Sequence, residues 1–168
     1  NRRGRIGLKA LMEVSGLNGK DISSGHIGFV LGPRINAMGR MGSPQKALDL
    51  LLSDDGDDAL KLAKVLDTEN RNRQKIEARV CEEAMSKLER EVNFKLHRVI
   101  VLASENWHPG VIGIVASRIA DRSYRPAIMI SLDGKLGKGS GRSIENFHLC
   151  DYLFRCKDQL VGFGGHEA

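Results

Sequence analysis

From Asp57 to Val92 the chain runs without a proline or a glycine. Leu60, Ala63, Leu66, Asn70, Arg73, Ile76, Val80, Ala84 and Leu88 recur there at steps of three and four residues. That period places them on one side of a single long α-helix. The middle of the run, Asp67 to Lys75, is strongly polar. A polar stretch inside a long helix suits a bridge between domains better than passage through a core. The run therefore predicts two domains, with the boundary inside this helix or at its end.

Before the helix, residues 5–17 carry Ile6, Leu8, Leu11, Met12 and Val14 and meet Gly16. They predict a helix with a glycine stop. A polar turn follows through Asn18-Gly19-Lys20-Asp21. His26 to Leu31 reads as a short extended piece, broken by Gly32-Pro33. Residues 32–42 read as a glycine-punctuated loop holding Arg34 and Arg40. Ser43 is placed to cap the next helix, with Pro44 at a first position where the missing N–H costs nothing. Ala47, Leu48, Leu51 and Leu52 are its expected buried stripe.

After the helix the period changes. Arg98 to Ala103 is a continuous apolar run, the pattern of a strand inside a parallel sheet. Trp107-His108-Pro109-Gly110 is a turn. Val111 to Ser123 is an amphipathic helix with Ile112, Val115, Ala116 and Ile119 inward. Pro126 to Leu132 is a second buried strand, which completes a βαβ unit. Asp133-Gly134 signals a hairpin, so Leu136 to Ser143 should return antiparallel. A short helix from Phe147 to Cys156 precedes the glycines at 162, 164 and 165. The expected fold class is α/β, with a long helix followed by a small mixed sheet.

Lys and Arg number 26 against 21 Asp and Glu, a net charge of +5. This permits a polyanionic partner without requiring one. No apolar run reaches the ~18 residues of a membrane span. Cys81, Cys150 and Cys156 are odd in number and match neither a zinc site nor a disulfide framework. They read as free thiols in a reducing cytosol. Asn1 is not an initiator and no apolar leader core follows Arg5. Both ends read as cuts in a longer protein.

Four segments carry possible chemistry. In Arg34-Ile35-Asn36 with Arg40, guanidinium forks suit phosphate oxygens; they would equally bridge nearby carboxylates while Asn36 caps a turn. His108 follows a strand at the edge where α/β sheets bind ligands, beside a Trp107 that reads more simply as core. Ser140 and Arg142 are two apart on one strand and share a face, a hydroxyl and a guanidinium fit to clamp a phosphate. Ser143 follows them. Gly164-Gly165-His166 permits close backbone approach beside an imidazole. No Asp/His cluster has metal-ligand character. Asp54, Asp55, Asp57 and Asp58 read as helix-start charges, and Glu82-Glu83 as solvated.

Four stretches together resemble the RecJ exonucleases of the DHH phosphoesterase superfamily. They are Gly32 to Arg40, Trp107 to Arg118, Gly139-Ser140-Gly141-Arg142-Ser143 and Gly162 to Ala168, in order and over nearly the whole chain. The resemblance implies that residues 1–56 end a DHH domain, 57–94 form the connecting helix and 95–168 a substrate-holding DHH-associated domain. It implies a larger protein that hydrolyses single-stranded DNA from the 5′ end in recombination and repair by a two-metal mechanism. The Mn²⁺ or Mg²⁺ ligands would lie outside this chain. By the same resemblance Arg34, Asn36 and Arg40 line the nucleic-acid path. Ser140 and Arg142 grip the backbone near the scissile phosphate, and Gly164, Gly165 and His166 border the same groove. Arg142 and His166 would support catalysis by neutralising phosphoryl charge. The implied setting is the cytoplasm; the sequence specifies no helicase or single-strand-binding partner. An oligonucleotide or cyclic-dinucleotide phosphodiesterase, or a binding module without catalysis, are the alternatives.

Overall fold

The computed structural model describes residues 5–166; Glu167 and Ala168, the end of the last motif, lie outside them. The chain divides into two compact units, one up to Lys75 and one from Ile76. The division falls inside a 36-residue helix, Gly56–Glu91, here α5. Asp55 opens that helix: its carboxylate accepts from the Asp58 N–H at 2.9 Å, which gives the acidic start a capping role.

The first unit is helical. Helix α1 is Ile6–Val14. Its stop is a Schellman closure, with Gly16 at φ +70°, Gly16 N–H on Glu13 O at 3.0 Å and Leu17 N–H on Met12 O at 2.8 Å. The next stretch departs from expectation. The predicted extended piece and loop are instead one helical run: α2 (Ser24–His26), a π-turn (Ile27–Leu31) and α3 (Gly32–Met41). The helix survives Pro33 because the turn before it opens. Gly32 N–H reaches back five residues to Ile27 O. The wider turn gives the proline ring room beside the carbonyl it would otherwise strike.

Helix α4 is Gln45–Leu52, and Ser43 Oγ accepts from the Gln45 N–H at 3.3 Å. Its buried residues are Ala47 and Leu50; Leu48 and Leu52, expected inside, are exposed. Leu50 faces α1, whose Gly7 lies so close that a Cβ there would meet Leu50 O at 1.7 Å. Two helices in backbone contact leave space for only one row of α4 side chains. Leu11, Leu17, Leu31, Met38, Leu50 and Leu66 are the large members of this core.

The second unit holds a three-stranded sheet of order β1-β2-β3, with β1 Ile100–Ser104, β2 Ala127–Asp133 and β3 Leu136–Arg142. β1 and β2 are parallel, with Leu102 opposite Met129. β2 and β3 are antiparallel, with Met129 opposite Ser140. Gly134, at φ +57°, turns the hairpin. Helix α6, Ile112–Ser123, buries Ile112, Val115, Ala116, Ile119 and Ala120 over the face bearing Ala127 and Met129. β1 is an edge strand, and its Val101 is exposed. Its apolar run is thus buried on one side only, unlike the interior strand expected. Helix α7, Leu149–Arg155, approaches the other face: a Cβ on Gly141 would meet Leu149 Cδ2 at 2.7 Å.

Two polar contacts tie the end of α5 to this unit. Trp107, 2% exposed, donates its indole N–H to Glu83 Oε2 at 3.0 Å. Glu77, buried on α5, pairs with Arg118 of α6. Glu83 is therefore not the solvated carboxylate that its neighbours suggest. Among the described residues no helix is long and apolar enough to cross a membrane.

Candidate nucleic-acid interface

The predicted site residues separate by unit. Arg34, Asn36 and Arg40 all lie on α3. Arg34 turns inward: its Nε donates to Asp67 Oδ1 at 2.9 Å and its Nη1 to Val30 O at 2.7 Å. The second Asp67 oxygen takes Arg71 at 2.8 Å. Asn36 and Arg40 are exposed and four residues apart, so they share an outer face.

In the second unit, β3 carries the clearest anion-seeking geometry. Leu136, Lys138, Ser140 and Arg142 alternate onto one face and Gly137, Gly139 and Gly141 onto the other. Gly113, in the first turn of α6, lies against the first set. A Cβ on it would meet Ser140 Oγ at 2.8 Å and Arg142 Nη2 at 3.3 Å. Only glycine lets the helix start come this near. Arg142 is aimed by two bonds: Nε donates to Ser117 Oγ at 3.1 Å and Nη1 to Gly141 O at 2.7 Å. Ser117 in turn donates to Gly113 O at 3.2 Å.

No side chain caps α6. The Ile114 N–H is bonded to Val111 O at 2.9 Å, and the first turn carries the positive end of the helix dipole. A hydroxyl and a guanidinium thus lie together beside the first turns of α6, groups suited to hold a phosphate. Gly113 and Ser117 were not among the residues expected here. Their helical spacing of four, opposite a Ser-x-Arg strand, was the available signal.

His108 follows β1 and is half-buried; its Nδ1 accepts from the Gly110 N–H at 3.0 Å. It lines a cleft of about 740 Å³ at the carboxyl ends of β1 and β2, which Lys138 also lines. Ser143 is turned away from β3 and donates to Phe147 O. Gly164, Gly165 and His166 run exposed beside α7, where a Cβ on Gly165 would meet Cys150 Sγ at 2.9 Å. Within this unit His108, Ser140 and Arg142 are associated with the same sheet face and its end. The glycine–histidine tail lies against the helix that packs on the opposite face.

Among the described residues no three His, Cys, Asp or Glu side chains are grouped to hold a metal ion. The buried carboxylates Asp67 and Glu77 already face arginines. These residues do not fit a divalent metal pair, and no catalytic step follows from them.

The sheet, α6 and the groups around Gly113 belong to one compact unit. Residues 96–168 match the DHHA1 domain family. Over nearly its whole length the chain is similar to RecJ exonucleases. It is 42% identical to the single-stranded-DNA-specific exonuclease RecJ of Bacillus subtilis, over 98% of this chain and 21% of that protein. The Escherichia coli RecJ is 41% identical over 96% of this chain and 29% of its own length. The crystal structure of Thermus thermophilus RecJ with Mg²⁺ superposes with a TM-score of 0.84 at 35% identity, covering 98% of this chain and 25% of that one. A manganese-bound exonuclease RecJ gives 0.81 at 36% identity, covering 97% and 39%. The chain thus spans well under half of each relative.

Proposed function

We propose that this chain is the strand-gripping segment of a single-strand-specific DNA exonuclease. The observation that carries it is the convergence of Gly113, Ser140 and Arg142 at the start of α6. A phosphate there meets the Ser140 hydroxyl and Arg142 Nη2, while Arg142 Nε and Nη1 are held by Ser117 and Gly141. Ser117 fixes the guanidinium, so little side-chain entropy is lost on binding. The grip is sequence-independent because it touches only the backbone.

Hydrolysis, 5′-end polarity, Mn²⁺ or Mg²⁺ at ligands outside this chain, and a cytoplasmic role in recombination and repair belong to the whole protein in this reading. The domain edges at 56 and 95 belong to it too. Bound metals would activate water and stabilise the leaving oxygen; this chain's residues would hold the strand still.

The test is binding of the 168-residue chain to fluorescein-labelled single strands across a salt series. Affinity should fall with salt, and Arg142→Ala should weaken it and flatten the log–log slope by about 0.7, one phosphate contact. Unchanged affinity and slope in that variant would remove the proposal. The chain alone should not degrade single strands in Mn²⁺; robust digestion would overturn the division of labour.

A further inference from the structure

The cleft at the carboxyl ends of β1 and β2 is not accounted for by a backbone grip. Its volume of about 740 Å³ lies within the range of small-ligand sites. Ligands of α/β sheets bind at this end of the strands. One wall is apolar, formed by Ile76, Leu132 and Leu136. Beside its charged residues the lining carries two uncharged polar side chains able to read a ligand edge, Asn106 and His108. Because His108 Nδ1 accepts from Gly110, a neutral ring carries its proton on Nε2 and can donate to a ligand. The Asn106 side chain offers both a donor and an acceptor.

The charge of the cleft selects among anions and bases. Arg79 and Lys138 are offset by Glu105 and Asp133 on the same lining. Arg79 also lies 3.9 Å from Glu83. A polyphosphate gains little from such a balanced rim. A flat heterocycle with carbonyl and amino edges matches both the apolar wall and the Asn106–His108 pair.

The position relative to the clamp gives the ligand its identity. Lys138 lines the cleft and is two residues from Ser140 on the same face of β3. That step is about 6.8 Å along an antiparallel strand. A nucleic-acid strand held at Ser140 and Arg142 and running along β3 therefore reaches the cleft within about one nucleotide.

We propose that the cleft takes a nucleobase of the bound strand, next to the phosphate clamped at Ser140 and Arg142. The chain then holds one base as well as the backbone. This rests on the clamp reading for its register, though not for the cleft's own affinity.

Trp107 is the only tryptophan and lines the cleft, so its emission reports occupancy directly. Thymidine, which has no phosphate, should change that emission saturably, and deoxyribose 5-phosphate should not. Single abasic substitutions walked along a short oligothymidylate should weaken binding about tenfold at one position, the scale of one lost base contact. Asn106→Ala should flatten that scan while keeping the salt dependence. Arg142→Ala should weaken every oligonucleotide yet leave the thymidine response intact. If it leaves oligonucleotide affinity unchanged while thymidine still binds, the clamp fails and the cleft stands. A flat abasic scan with wild-type protein, or Trp107 emission indifferent to thymidine, overturns the proposal.

Discussion

Arg34 Nε donates to Asp67 Oδ1 at 2.9 Å, with side-chain exposures of only 17% and 8%. The pair joins α3 to the long helix inside the first unit. Of the two readings open for Arg34 in the sequence, lining a nucleic-acid path or bridging a carboxylate, the side chain makes the second contact here, with Nε and Nη1 donating to protein oxygens. Asp67→Ala would leave a largely buried guanidinium without its counter-charge. The expected cost is about 3 kcal/mol, read as a lower urea midpoint. Arg71, whose side chain is 71% exposed, can turn to water and should not add to it. A loss below about 1 kcal/mol would mean that solvent already compensates Arg34.

Glu83 accepts the Trp107 indole N–H at 3.0 Å. Replacing it with alanine leaves a buried donor unpaired, which costs about 1–3 kcal/mol. Glu83→Gln keeps an acceptor on a side chain of the same length and should recover most of that loss. Unfolding followed by Trp107 emission measures both. Equal losses in the two variants would assign the effect to the charge, through Arg79, rather than to the hydrogen bond.

Much of this fold is legible locally because its signals are periodic. The 36-residue helix, the βαβ unit and the hairpin at Gly134 all follow from spacing and turn chemistry. The failures have physical causes. Gly32-Pro33 ordinarily ends a helix, and nothing local reveals the π-turn that lets it continue. In the two turns of α4, several leucine phases are equally apolar; only the close approach of Gly7 selects Leu50. Glu83 and Asp67 look like solvated charges until partners 24 and 33 residues away are brought to them. At the site, Ser140 and Arg142 were visible through strand alternation. Gly113 and Ser117, on a different element, became visible only with the packing.

Tyr124 ends α6 at φ +47°, ψ +47°, a left-handed conformation that disfavours any side chain. The residue is 69% exposed and gains little from burial. Tyr124→Gly should therefore stabilise the second unit, by up to about 1 kcal/mol. The gain is capped because glycine also widens the unfolded ensemble. A lowered midpoint in thermal unfolding would show that the ring contributes more than its exposure suggests.

Gly113 sets two effects against each other. Alanine in a helix is favoured over glycine by about 1 kcal/mol, so Gly113→Ala should help α6 by itself. The new Cβ, however, would lie 2.8 Å from Ser140 Oγ and 3.3 Å from Arg142 Nη2. Both neighbours are side-chain ends and can yield by rotating, so the fold should survive with nearly unchanged stability. The clamp should not survive intact, because the groups that move are the ones aimed at phosphate. Single-strand affinity should fall roughly tenfold, comparable to a lost charge-assisted hydrogen bond. Unfolding and strand binding measured on one preparation separate the two effects. Unaltered affinity in a stably folded Gly113→Ala protein would show that phosphate does not sit between the start of α6 and β3.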